Sequence, residues 1–425
     1  MDDIIEDLFK IYLANIDSYN SKIHQTINDK YTIIDKAMIV TYLFVKIIED
    51  RNEKNQEVTE VLSNYLLKQS IYSETGNLEF EIADKSKIKL YHDILNKLIL
   101  EKFEYKNRLM KKLKYNYKDI ELNKYSELLV FLEDIAEFTI FQKMILRGNQ
   151  ECVSIFEITK NKIINQVIES DDYFYKEKKE IVRLIIDGKF NESQYGNLVY
   201  VVLNLKDVYR YSQITTQLPD NVLFHQYMVA TMSLLIAEYS NRELGENIDV
   251  YDILVKSMFH DFAEYKGTEI ITQFKNYNDI TIKMFAEIEE NDERELEGKI
   301  GTNLYNIIVN FTQGAGGYIV EAIDKLTSIM KLWIEVRYFH NYTFVKTVNS
   351  IYQDRFKRFL KINNVDGIKN KSFYLDFIRE YYVYIKERLL EFDIDCSLMY
   401  FTEKEIEEFR AEIKLLKSKP EAFLK

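Results

Sequence analysis

Only two prolines and twelve glycines punctuate the 425 residues. Sheets and hairpins need turn residues at short intervals, so this scarcity argues against a β-rich fold and predicts long helices joined by short polar loops. Cysteine is equally rare. Cys152 and Cys396 stand far apart and form neither a metal-type nor a redox spacing, which argues against a disulfide scaffold and fits a reducing, cytoplasmic location. Long hydrophobic runs are absent too: the longest, around Met38 to Ile48, is short and interrupted by Lys46, so no membrane span is expected. The opening MDDIIEDLF is acidic and lacks the cationic start of a signal peptide. Positive charge is in deficit, with 57 Lys and Arg against 69 Asp and Glu. The resulting net charge of −12 argues against a protein that coats nucleic acid, because neutralising phosphates needs a basic face. A local basic pocket for one small phosphate ester remains compatible with it.

Apolar residues make up 47% of the chain, enough for a sizeable core, and the length suits two domains of ordinary size. Helical periodicity dominates. Val222 to Tyr239 carries Met228, Met232, Leu235, Ile236 and Tyr239 on one face, with Pro219-Asp220 as the expected start and Asp220 as cap. Val250 to Tyr265 is the next predicted helix, capped by Asp249. Ile319 to Phe339 is a third, and Gln313 to Gly317 ahead of it reads as a flexible turn. That glycine cluster has neither the preceding strand nor the Lys-Ser/Thr of a phosphate cradle. The turn-rich run Asp187 to Ser193 marks the expected boundary between residues 1–187 and 188–425.

Three segment pairs suggest an internal repeat: 34–53 with 224–243, 58–77 with 250–269, and 134–146 with 322–334. They recur in the same order at nearly constant separation. The expected fold is therefore all-α, with two tandem helical domains.

Chemistry concentrates around few histidines. The chain has five, and two precede an aspartate: His92-Asp93 and His260-Asp261. His260-Asp261 has company: His225 lies one helix earlier and Asp324 near the start of the long helix after the glycines. Two imidazole nitrogens and two carboxylates suit one divalent ion, Mn, Co, Fe or Zn with Mg as a further option, and leave positions open for water and a phosphate oxygen. Glu264, four residues after His260 and three after Asp261, falls on the same face of an α-helix. It is placed to orient or deprotonate the attacking water. His92-Asp93 lacks such partners, since Glu57 occupies the position 35 residues upstream.

Residues 205 to about 345 resemble the HD-domain 5′-deoxynucleotidases. The resemblance rests on Arg210-Tyr211, His225, His260-Asp261-Phe262-Ala263-Glu264, Glu269, Lys275 and Ala322-Ile323-Asp324. It implies an HD helical bundle and removal of phosphate from (deoxy)nucleoside 5′-monophosphates. It further implies His225, His260, Asp261 and Asp324 as metal ligands and Glu264 as catalytic acid or base. Arg210 and Lys275 would face the phosphate, Tyr211 would crowd a ribose 2′-OH, and Glu269 would bind the sugar 3′-OH. Departures fall around these positions. Phe224-His225-Gln226 replaces the family's Glu-His-Ser, Gly267-Thr268-Glu269 replaces its Thr-Gly-Asp, and Tyr211 replaces its usual Trp.

In the N-terminal half the repeat sets Asp35 opposite His225, Lys68-Gln69 opposite His260-Asp261 and Ala136 opposite Asp324, with Asp134 two residues away. That half is expected to be a degenerate HD-like copy without metal, packed as an intrachain pseudo-dimer, a homodimer being the other arrangement. Two alternatives to the nucleotidase remain: an HD hydrolase of a triphosphate, cyclic nucleotide or alarmone, and a nucleotide-sensing protein with little turnover.

Overall fold

A computed structural model describes residues 4–5, 7–8, 11–12, 22–25, 30–72, 123–168, 173–211, 216, 220–266, 278–341, 344, 362, 365–396 and 401–419. The fold is all-α, with one two-stranded antiparallel hairpin among the described residues, β1 (Lys22–Gln25) and β2 (Lys30–Thr32). Helix α1 (Ile33–Arg51) starts directly after the hairpin. Its start is fixed by a capping box in which Thr32 and Asp35 exchange backbone-to-side-chain hydrogen bonds of 2.8 and 3.1 Å. There follow α2 (Gln56–Tyr72), α3 (Lys124–Leu146), α4 (Val153–Ile168), α5 (Tyr175–Ile186) and α6 (Gln194–Asp207). The second half holds α7 (Val222–Glu243), α8 (Val250–Phe259), α9 (Asp279–Ile300), α10 (Thr302–Val309), α11 (Gly314–Phe339), α12 (Lys371–Cys396) and α13 (Glu403–Ser418).

Helix α7 was expected to bury one stripe. Instead every residue from Val222 to Ala237 is buried, so the helix runs through the middle of the bundle. Helix α1 behaves alike, buried at Ile34, Asp35 and from Ala37 to Glu49. The two touch each other, and around them each half arranges a triplet. Helices α1, α2 and α3 pack mutually, as do α7, α8 and α11. These are the helices in which the paired segments of the sequence begin. Helix α6 packs against both α1 and α7. Helix α12 is tied across the second triplet by Tyr374 Oη donating to Ser240 (2.8 Å) and Tyr381 Oη donating to the Leu326 carbonyl (3.1 Å).

The glycine cluster is not a flexible turn. Helix α11 begins at Gly314, five residues earlier than its apolar pattern suggests, and the glycines form its first turn. A Cβ on Gly317 would lie 2.2 Å from the Thr312 carbonyl carbon and 2.4 Å from the Phe311 oxygen, and one on Gly316 would meet Asp252 of α8. Close backbone approach, not mobility, requires glycine here.

In an open helix, Gly→Ala stabilises by up to about 1 kcal/mol. Gly317→Ala should reverse that sign and cost about 2 kcal/mol, because backbone rather than a mobile side chain blocks the methyl. A urea titration should show a lower midpoint at unchanged slope.

Candidate functional site

The site forms where four segments meet. The first is the connection into α7, which an isolated antiparallel bridge closes between Tyr209 and Asn221. Arg210 N–H donates to the Asp220 carbonyl (2.8 Å) and Val222 N–H to the Val208 carbonyl (3.0 Å). The cap of α7 is Asn221 rather than Asp220: its side chain accepts from Phe224 N–H at 2.8 Å, one residue later than expected. Asp220 is itself buried. Helix α8 is capped by Asp249 as anticipated, accepting from Asp252 N–H at 3.0 Å.

Helix α8 stops at Phe259, so His260 and Asp261 sit in the turn that ends it and Phe262–Lys266 continues as a 3₁₀ helix. The expected α-helix to Tyr265 is thus cut short. Glu264 does not share an α-helical face with His260; it is exposed in the 3₁₀ turn, where its N–H donates to the Asp261 carbonyl at 3.1 Å. Asp324 likewise lies in the interior of α11 rather than near its start, which removes any capping role.

Four side chains converge. One ligand-type atom from each of His225, His260, Asp261 and Asp324 lies within 4.8 Å of the others, and no other such group occurs among the described residues. His225 Nε2 is 2.9 Å from Asp324 Oδ1 and 3.8 Å from Asp261 Oδ2. His260 Nδ1–H donates to the Ser257 carbonyl at 2.7 Å. A carbonyl only accepts, so this bond fixes the proton on Nδ1 and leaves a lone pair on Nε2. That Nε2 is buried without a hydrogen-bond partner among the described residues, yet lies 3.2 Å from Asp261 Oδ2. Two lone pairs so placed require a cation between them, either a second imidazole proton or a metal ion. The donor set of two imidazoles and two carboxylates fits a divalent metal.

The electrostatics agree. Burial, then the nearby Arg210 guanidinium, lowers His225 to about 4, which keeps its imidazole neutral and able to ligate at neutral pH. Burial alone would lower His260 as well, but Asp261 and Asp324 outweigh it and raise its pKa. Burial opposes ionisation of both carboxyls. His260 beside Asp261, and Lys325 and His225 beside Asp324, nevertheless hold them below the usual carboxylate range.

Arg210 reaches the same region. One guanidinium nitrogen, Nη2, donates to Ser328 Oγ at 3.0 Å, one turn beyond Asp324 on α11. The other, Nη1, is buried with no hydrogen-bond partner among the described residues. Such an orphaned cationic donor suits an anion's oxygen. Tyr211 holds a left-handed backbone, φ +58°, and packs edge-on against Phe344 at 6.1 Å between centroids. That conformation costs a non-glycine residue about 1 kcal/mol or more and tends to occur at functional positions. Glu269, Lys275 and the His92-Asp93 pair lie outside the described residues.

Residues 197–374, less than half of the chain, match the family model described as 5′-deoxynucleotidase YfbR-like. This segment is similar to that family. No curated protein and no solved structure matches the chain. The YfbR-like segment contains all four converging side chains together with Arg210, Tyr211 and Glu264.

Several neighbours escaped the sequence reading. Ser328 could have been found, as a buried polar residue four after Asp324 on an apolar helix. Tyr12 packs edge-on against Phe224 at 6.4 Å, and Tyr42 packs edge-on against Phe259 and at a tilt against Phe262, on either side of His260-Asp261. Nothing local in the sequence marks either tyrosine. At the aligned positions of the N-terminal half, Asp35 is occupied by its capping box. Asp134 accepts from Lys162 (2.6 Å) and Gln166 (2.7 Å).

If the four side chains take up a metal, binding should stabilise the fold by mass action, about 2.7 kcal/mol at a hundredfold excess over Kd. Thermal unfolding with and without Mn(II) or Co(II) should show the shift in the parent chain and its loss in His260→Ala.

Proposed function

We propose that the YfbR-like segment is a metal-dependent phosphohydrolase acting on (deoxy)nucleoside 5′-monophosphates. The observation that carries this reading is the juxtaposition of the His225, His260, Asp261 and Asp324 cluster with the buried Nη1 of Arg210, which has no partner among the described residues. One group fits a divalent cation, Mn, Co, Fe, Zn or Mg, and the other fits a phosphate oxygen. When bound, such a cation withdraws charge from a phosphoryl oxygen and makes water more acidic.

The chain's own residues supply the rest. Arg210 holds the phosphate, with Ser328 fixing the guanidinium's orientation. Glu264, exposed beside Asp261, takes the proton of the attacking water as the new P–O bond forms. It returns a proton to the 5′-oxygen as the P–O5′ bond breaks. Tyr211 stands beside Arg210, its ring 5.7 Å from the guanidinium carbon, as a wall against a 2′-hydroxyl. Glu269 at the sugar 3′-OH and Lys275 at the phosphate enter the proposal on sequence resemblance alone. We further propose that 188–425 is the catalytic HD domain with a helical extension, and that 1–187 is its degenerate copy. The two would form a pseudo-dimer within one cytoplasmic chain. The matching mutual packing of α1–α2–α3 and α7–α8–α11 supports that reading. Among the described residues no helix is long and apolar enough to cross a membrane.

Phosphate release from ribo- and deoxyribonucleoside mono- and triphosphates, assayed with Mn, Co and Mg, tests the activity. Deoxymonophosphates should be hydrolysed, with losses of about 10²-fold or more in Glu264→Ala and Arg210→Ala. Turnover of triphosphates alone would reassign the substrate. Metal binding without turnover of any nucleotide would leave a sensor in place of an enzyme.

A further inference from the structure

Helix α1 belongs to the N-terminal half, outside the YfbR-like segment, yet it sends one side chain under the candidate metal site. Tyr42 is fully buried. Its ring lies 4.9 Å from Phe259 and 5.1 Å from Phe262, the residues that bracket His260-Asp261. Its hydroxyl hydrogen-bonds to the Met258 carbonyl and lies 2.8 Å from the terminal amide of Gln226. Met258 is two residues before His260, and Gln226 directly follows His225.

A phenol carries one proton. The Met258 carbonyl can only accept, so that proton goes to Met258. Turning the Gln226 amide so that its NH₂ rather than Oε1 faces the phenol oxygen lets that nitrogen, which has no partner among the described residues, donate to it. The result is one continuous connection, Gln226 to Tyr42 to Met258, between the helix carrying His225 and the turn carrying His260.

We propose that Tyr42 is a positioning residue of the metal centre, through which the N-terminal half sets the separation of His225 and His260. The inference rests on the metal-site reading above. It differs from ordinary packing because the bonds run to the residue after His225 and to the carbonyl two residues before His260. Partners that hydrogen-bond a ligand directly typically change metal affinity about 10–100-fold when altered, and Tyr42, one step further out, is expected at the lower end of that range.

The test compares Tyr42→Phe with Tyr374→Phe in the full chain, titrated with Co(II) and followed by its ligand-field absorption and by thermal unfolding. Tyr374 is a fair control: it is also buried, and its hydroxyl donates to Ser240 (2.8 Å) far along α7 from His225. Tyr42→Phe should weaken Co(II) binding about tenfold or more and alter the band shape. Tyr374→Phe should leave both within about twofold even where it lowers the melting temperature as much. Gln226→Leu removes the same connection from its other end. It should reproduce the Tyr42→Phe effect, with the double variant no worse than either single one, and it carries the test if Tyr42→Phe does not fold. Parent-like affinity and spectrum in Tyr42→Phe or in Gln226→Leu would overturn the proposal while leaving the metal site standing. Failure of the parent chain to bind Co(II) would overturn both.

Discussion

His260 Nε2 and Asp261 Oδ2 face each other across 3.2 Å in a largely buried site. The Ser257 carbonyl holds one imidazole proton on the far nitrogen, so a cation must stand between Nε2 and the carboxylate, either a second imidazole proton or a metal ion. The surroundings follow from that constraint. Burial and then Arg210 keep His225 from taking up a proton, while Lys325 and the histidines keep Asp324 ionised despite burial. A site that stores negative charge and lone pairs in a low-dielectric interior is built to receive positive charge.

Placing four such groups together needs rigid supports, and the bundle provides them by ending helices rather than by bending them. His260 and Asp261 occupy the exit of α8, held by a carbonyl of its last turn. His225 sits in the first turn of α7, fixed by the Asn221 cap, and Asp324 projects from the interior of α11. Two helix termini and one helix face are therefore brought into register. The close approach of α11 to α8, which Gly316 permits, belongs to the same arrangement.

Much of this was legible in the chain. The four converging residues stood out as a joint pattern, a histidine one helix before His260-Asp261 and an isolated aspartate after the glycines, whose order along the chain matched a known one. The all-α class followed from the dearth of proline and glycine. Errors came where local periodicity was extended past a stop that no residue announces. The helix through His260 was carried on to Tyr265, which gave Glu264 a face it does not have. The glycines before Ile319 read as a turn because the atoms crowding Gly317, on Phe311 and Thr312, only approach once the chain folds back. Asp220 and Asn221 are both good caps, and only the bridge to Tyr209 decides between them. The contact of Tyr42 with Gln226 spans 184 residues and has no local signature.

Tyr211 holds its aromatic ring against Phe344 from a left-handed backbone that glycine or asparagine would adopt at less cost. Replacement by either would relax the loop and remove the ring in a single step. A more stable chain and an aromatic ring beside Arg210 therefore place opposite demands on this position. Tyrosine here is a stability cost carried next to the guanidinium.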